Sequence, residues 1–402
     1  MSDQTHNRRE DVDNFRDDPD HDLQQIVETA AAPVVGSSPD AIERRRLGRL
    51  IAVRRLLLRS LPIPYGPQQE LATALDEALY SADALREAGL PQPSVLLLAD
   101  SFSGKSSGAL RYVRQVFERE EHRPGTTPVA YVKLDADGTV GSLATDILTA
   151  LHMRRPNALT PDKRWERARE AIRERGVSLL IFDEFQRAGR RPTISPIIAQ
   201  KILDILDGDD TRGGDCACAF LGKETAVNVF KSLPDLRNRL DAPVQIPRLI
   251  WARDGKEFMA FADAYDQALV DADIIAYKAG LGTPVIAQLL LESSGGLIGR
   301  FARIIETAVL AITREGVNTI TRADLQDAVS DWAIGNGHIG HNPFEKSKDS
   351  SAKAAKAGKN AKEAVNHGAG DADPDQERGD TCRMEDSPED DDEHSFAEGQ
   401  AA

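Results

Sequence analysis

The chain is 402 residues long, more than one ordinary domain needs. Its 41% hydrophobic content supplies a large core, and only 5% aromatics weighs against an all-β sandwich and for an aliphatic, helix-rich α/β core. A net charge of −15 excludes a uniformly basic nucleic-acid binder, but ten acidic and three basic residues fall in 1–40 and fifteen and eight in 346–402, so the part between is close to neutral.

Residues 1–40 are polar, acidic and aperiodic, and read as a disordered tail with a short helix around 23–31. They contain no apolar leader, and no apolar run in the chain approaches bilayer length, so a soluble cytoplasmic protein is expected. ERRRLGRLIAVRRLLLRSL, ending before Pro62 and Pro64, interleaves arginines with Leu, Ile and Val. It suits docking on a partner, on DNA or on an acidic membrane surface, or a packing helix whose arginines snorkel. Residues 67–88 have helical spacing, with Leu71, Leu75 and Leu79 on one face.

From there the pattern alternates. Short apolar runs at 94–99, 129–134, 177–182, 216–222 and 244–247 read as strands. Helical stretches at 104–120, 142–153, 161–175 and 196–206 lie between them. This predicts an α/β fold with a parallel five-stranded sheet and right-handed crossovers. After residue 251 the pattern is all-helical, with candidates at 252–269, 283–292, 297–313 and 322–332, which form a C-terminal helical lid. The expected layout is a tail over 1–40, basic and lead-in helices over 41–90, an α/β core over 91–250, the lid over 251–344, and a Lys/Ala then acidic disordered tail over 345–402. Cys216, Cys218 and Cys382 have no metal-ligand spacing and read as free thiols.

Two segments carry chemistry. ADSFSGKS, from Ala99 through Ser103, Gly104, Lys105 and Ser106, with Ser107 beyond, leaves an apolar strand and enters a helix. Backbone N–H groups of such a turn wrap phosphates, the lysine meets the β/γ oxygens, and the serine hydroxyl suits magnesium. Ala99 stands where this loop usually has its first glycine; alanine fits there if the backbone is extended. LLIFDEF then ends a strand on Asp183 and Glu184, where a parallel sheet presents ligand-binding groups. Asp183 is the expected magnesium ligand and Glu184 the expected general base for an attacking water. The cofactors are therefore ATP and Mg2+.

Three further places stay open from the residues alone. Lys223, Glu224 and Thr225 end the fourth apolar run, either to sense a γ-phosphate or simply to start the next helix. Arg237 and Arg239 precede the fifth run, where an arginine can reach a neighbouring subunit's nucleotide or merely cover a helix end. Arg300 and Arg303 open a lid helix after a Gly-Gly pair, either toward phosphate or toward solvent.

The order of these segments resembles the TniB family of transposon-encoded AAA+ ATPases, relatives of TnsC and of the Mu phage B protein. LPIPYGPQQELATALDEAL, LLLADSFSGKS, LLIFDEFQRA and LPDLRNRLDAPVQIPRLIW with SSGGLIGRFARIIETA carry the likeness, over roughly 44–344. The resemblance implies an AAA+ ATPase that binds double-stranded DNA in an ATP-dependent way, as a homo-oligomer, and recruits or activates a transposase. It also implies Arg239 as the arginine acting in trans and Arg300 as the lid arginine. DNA-facing candidates are Arg154, Arg155, Lys163, Arg164 and Arg167, and Arg187, Arg190 and Arg191; glutamates at salt-bridge spacing accompany the first set. A signalling or remodelling ATPase without DNA binding, and a non-hydrolysing ATP-dependent scaffold, are the alternatives.

Overall fold

Residues 38–61, 63–119, 125–153, 159–208 and 213–345 are described by the computed structural model. The chain divides into two units, 1–345 and 346–402, and the second lies wholly outside the described residues. The expectations for residues 1–37, for the Lys/Ala and acidic tail, and for Arg154, Arg155 and Cys382 fall outside them as well.

Four parallel strands, β1 (Ser94–Leu98), β2 (Val129–Lys133), β3 (Leu179–Asp183) and β4 (Ala217–Gly222), form a sheet in the order β1-β4-β3-β2. The fifth expected strand, at 244–247, is not formed. Val244 makes a single parallel bridge to Leu97, its N–H donating to Leu96 O at 2.8 Å. Pro243 and Pro247 flank this stretch and cannot donate to a ladder, so pairing stops at one rung.

Both faces of the sheet are buried, which explains the continuous apolar runs. Side chains alternate by strand periodicity. Val95, Leu97, Leu179, Ile181, Ala217, Ala219 and Leu221 enter one core, and Leu96, Leu180, Phe182, Cys218 and Phe220 the other. The first core also takes α2 (Gly66–Glu87), α3 (Lys105–Glu118) and the lid. The second takes α4 (Val140–Ala150), α5 (Pro161–Glu174), α6 (Ser195–Asp207) and α7 (Val227–Ser232). A short α8 (Pro234–Arg237) leads to the bridged segment. Cys216 and Cys218 are buried free thiols.

The lid comprises α9 (Trp251–Asp271), α10 (Pro284–Ser294), α11 (Ile298–Glu315) and α12 (Arg322–Ala328), which runs into a π turn at Val329–Ile334. Phe258, Phe261, Tyr265 and Phe301 form its aromatic centre. The arginine-rich segment is one helix, α1 (Pro39–Ser60), and its C-terminal half packs on α11. Arg55 and Arg59 pair with Glu306 at 3.4 Å each, Arg303 reaches the same carboxylate at 2.6 Å, and Arg54 donates to Thr313 Oγ1 at 2.7 Å. Half of this helix is thus a packing element whose arginines cover a buried glutamate. Among the described residues no helix is long and apolar enough to cross a membrane.

Candidate nucleotide site

The loop between β1 and α3 makes its turns at two residues. Gly104 has φ +95°, a conformation that favours glycine, and a Cβ there would lie 2.7 Å from Ile298 Cδ1 and 2.9 Å from Gln68 Nε2, displacing the ends of both side chains. Phe102 takes the other left-handed position, φ 67°. Ala99 has no positive φ; its N–H donates to Gly222 O at 3.0 Å, continuing the β1–β4 ladder, so an alanine is unstrained there.

Lys105 opens α3 and is buried, with Nζ donating to Ala99 O at 3.2 Å and Asp100 O at 3.0 Å. Burial lowers its pKa below the ordinary lysine range, while Asp183 and Glu184 pull it back up. Ser103 is buried with no partner for its hydroxyl, and Arg300 Nε is likewise buried and unpaired. Such orphaned donors are costly unless something accepts from them. Together with the free N–H groups at the start of α3, they fit an anionic, oxygen-rich ligand such as a polyphosphate. Ser107 Oγ instead turns back to Gly104 O at 2.9 Å.

Asp183 ends β3, two strands along from β1, and is buried. One carboxylate oxygen accepts from the Tyr131 hydroxyl and the other from Glu184 N–H at 2.8 Å. Tyr131 also interacts with Ser106, so the hydroxyl and the carboxylate expected to hold magnesium both meet one phenol. An alcohol and a carboxylate are the hard oxygen donors that magnesium takes, so the pair fits that ion. Burial and Asp183 push the Tyr131 hydroxyl well above the usual phenol range, which keeps it a donor.

Glu184 sits in the left-handed region at φ 58°, rare for a residue with a side chain. Its carboxylate accepts from Gln186 Nε2 at 2.7 Å, with Arg187 Nε at 3.5 Å. Phe185, fully buried, packs tilted against Phe220 at a centroid distance of 4.7 Å and stacks on Phe230 at 5.2 Å, which pins the strained turn to the second core.

Arg300 lies in the first turn of α11 and feels Asp100 of the loop and Arg248; burial first, then Arg248, depresses its pKa. Lys223 follows β4, exposed, close enough to Lys105 for their charges to oppose. Arg239 lies elsewhere. Its carbonyl accepts from Ser94 Oγ at 2.7 Å, at the start of β1, and its guanidinium pairs with Asp207 at 2.8 Å. The five residues of β1 separate that end from Ala99 by roughly 16 Å, so Arg239 does not reach the loop of its own chain. Of the basic sets, Arg187 and Arg190 donate to Leu134 O at 2.8 Å and Ala136 O at 3.3 Å, and Arg191 is exposed. Arg164 is tied to Thr145 and Leu159, Arg167 pairs with Glu170 and Glu174, and Lys163 is exposed.

Sequence reasoning missed Tyr131, Gln68 and Gln186. Gln68, from α2, donates to Gly104 O at 2.8 Å and covers the loop. Tyr131 reads in sequence as one more strand residue, and only the pairing of Lys133 with Asp183 in β2–β3 carries its hydroxyl to the acidic pair.

A phosphate-wrapping loop with a buried lysine, an acidic pair two strands along and a helical lid on the loop define a P-loop ATPase of the AAA+ type. Residues 62–249 match the family model of the bacterial TniB protein. Its fold is similar to the Aeropyrum pernix ORC2 protein in ADPNP-ADP complexes, at 15% identity and a TM-score of 0.53 over 69% of this chain and 71% of that one. The ADP form of the same protein gives 14% identity and a TM-score of 0.52, over 69% and 72%. At these identities the likeness concerns the fold alone. No curated protein matches the chain in sequence.

Proposed function

We propose that this ATPase binds ATP with magnesium at the β1–α3 loop, assembles on double-stranded DNA in the ATP-bound state, and recruits or activates a transposase there. One observation carries the ATP chemistry: Ser106 and Asp183 share Tyr131 beside the buried Lys105, at the carboxyl edge of the sheet. In this reading the N–H groups of 104–107 and Lys105 hold the phosphates, Ser106 and Asp183 would hold the metal, and Glu184 takes the proton of the attacking water. Magnesium, when bound there, would supply neutralisation of the phosphate charge. Arg300 faces the loop from the lid and meets the phosphates in the same chain, whereas Arg239 serves a neighbouring copy. The unpaired Ser103 hydroxyl and Arg300 Nε support this assignment, since a phosphate oxygen satisfies both.

The match of residues 62–249 to the TniB model supports the DNA and transposase parts. Arg190 and Arg191 lie exposed after β3, at the same edge of the sheet as the loop, where phosphate contacts give affinity without base readout. Filter-binding titrations of a duplex with ATP, ADP and no nucleotide test the reading. Binding is expected with ATP alone, weakening steeply with salt. No duplex affinity in any nucleotide state overturns it.

A further inference from the structure

Glu184 is held by a neighbour that ties it to another strand. Gln186 Nε2 donates to Glu184 Oε2 at 2.7 Å, and Gln186 Oε1 accepts the Lys223 N–H at 3.0 Å, at the tip of β4. The two partners fix the orientation of the amide: a backbone N–H only donates and an ionised carboxylate only accepts. Gly222, the last residue of β4, leaves room for this bridge, since a Cβ there would lie 2.8 Å from Gln186 Oε1. The Gln186 backbone is itself steady, because Phe185 before it is anchored in the aromatic cluster.

We infer that Gln186 is a positioning residue for hydrolysis: its amide aims the Glu184 carboxylate and locks that aim to the end of β4. The inference rests on Glu184 being the general base. A base on a left-handed turn has free χ angles toward solvent, and a misplacement of about 1 Å costs on the order of 100-fold in rate. The amide removes that freedom at one end, and the β4 backbone fixes the amide at the other. Arg187 Nε, at 3.5 Å, lies too far to aim the carboxylate alone.

The full-length chain tests this through ATP turnover and ATP affinity measured separately. Gln186→Met keeps the volume of the side chain but neither hydrogen bond, and Gln186→Glu keeps an acceptor for Lys223 N–H while losing the donor to Glu184. Both are expected to lower kcat by roughly 10- to 100-fold, as loss of an outer-shell partner does, with ATP Kd within about twofold of wild type. Gly222→Ala displaces the amide and lowers kcat in the same way, and combining it with Gln186→Met adds no further loss, because both act through one contact. Should Gly222→Ala melt early, the two Gln186 variants decide. Turnover by Gln186→Met within about threefold of wild type, or losses that multiply in the double variant, overturns the inference. Glu184→Gln separates the two readings. If it turns over like wild type, the assignment of Glu184 fails and the role of Gln186 falls with it. If it is inactive while Gln186→Met is active, the role of Gln186 alone falls.

Discussion

Lys105 is held by burial and by two loop carbonyls, and its lowered pKa sets a sign for nucleotide binding. Phosphates favour the charged ammonium, so a bound nucleotide raises the pKa again. As pH climbs through the depressed value toward the ordinary 10.5, binding must first take up a proton, and affinity falls by up to about tenfold per pH unit. Calorimetric titrations of ATP over roughly pH 7 to 10, in buffers of different ionisation heat, should show this uptake. Lys105→Arg stays charged throughout and should give a flat profile over that range. An equal pH slope in both proteins sinks this account. At this scale the loop and the acidic pair were readable because their residue types follow from their chemistry. Tyr131 and Gln68 were not, since a tyrosine in a strand or a glutamine in a helix carries no mark of what it will face across the fold.

The phosphate loop and the lid meet through elements far apart in sequence. Gly299 N–H donates to Phe102 O at 2.8 Å, and the Phe102 ring packs edge-on against Trp332 at 6.0 Å and His338 at 5.7 Å. Each aromatic contact of this kind is worth about 0.5–1.5 kcal/mol beyond its burial. Phe102→Ala should therefore loosen the lid without unfolding the core. Hydrogen exchange at the start of α11 and in the π turn is expected to quicken by roughly tenfold, while amides of β3 and β4 keep their protection. Uniform acceleration across the sheet contradicts a local latch. Burial and the Arg300 charge lower the His338 pKa, so the folded lid keeps this ring neutral and its packing weakens as pH falls below the ordinary histidine value. Strands and helices were legible from the period-2 and helical patterns, and most boundaries lie within two residues of the pattern. The fifth strand was not: an apolar VQI reads as a strand, yet Pro243 and Pro247 leave it one bridge to Leu97.

For the whole molecule, the position of Arg239 has a direct consequence. It lies at the strand-start edge, bound to Asp207, away from the loop of its own chain, so a role in hydrolysis requires a second copy. Arg239→Ala supplies an intact loop and acidic pair, and Glu184→Gln supplies an intact arginine. Each alone should be inactive, whereas an equimolar mixture should recover about a quarter of wild-type turnover per site, the share of random interfaces joining a good loop to a good arginine. No recovery in a mixture that still co-assembles on ATP contradicts the trans role.

By itself the sequence determined the α/β class, the P-loop, the acidic strand end and the lid. Each rests on short-range periodicity or on residue types whose chemistry admits few substitutes. The tertiary structure decided which groups meet. It placed the left-handed turn on Phe102 rather than Ala99, joined Ser106 and Asp183 through Tyr131, tied Glu184 to β4 through Gln186, and laid half of the arginine helix on Glu306. Those meetings follow from strand order and helix packing, long-range facts that no local pattern encodes.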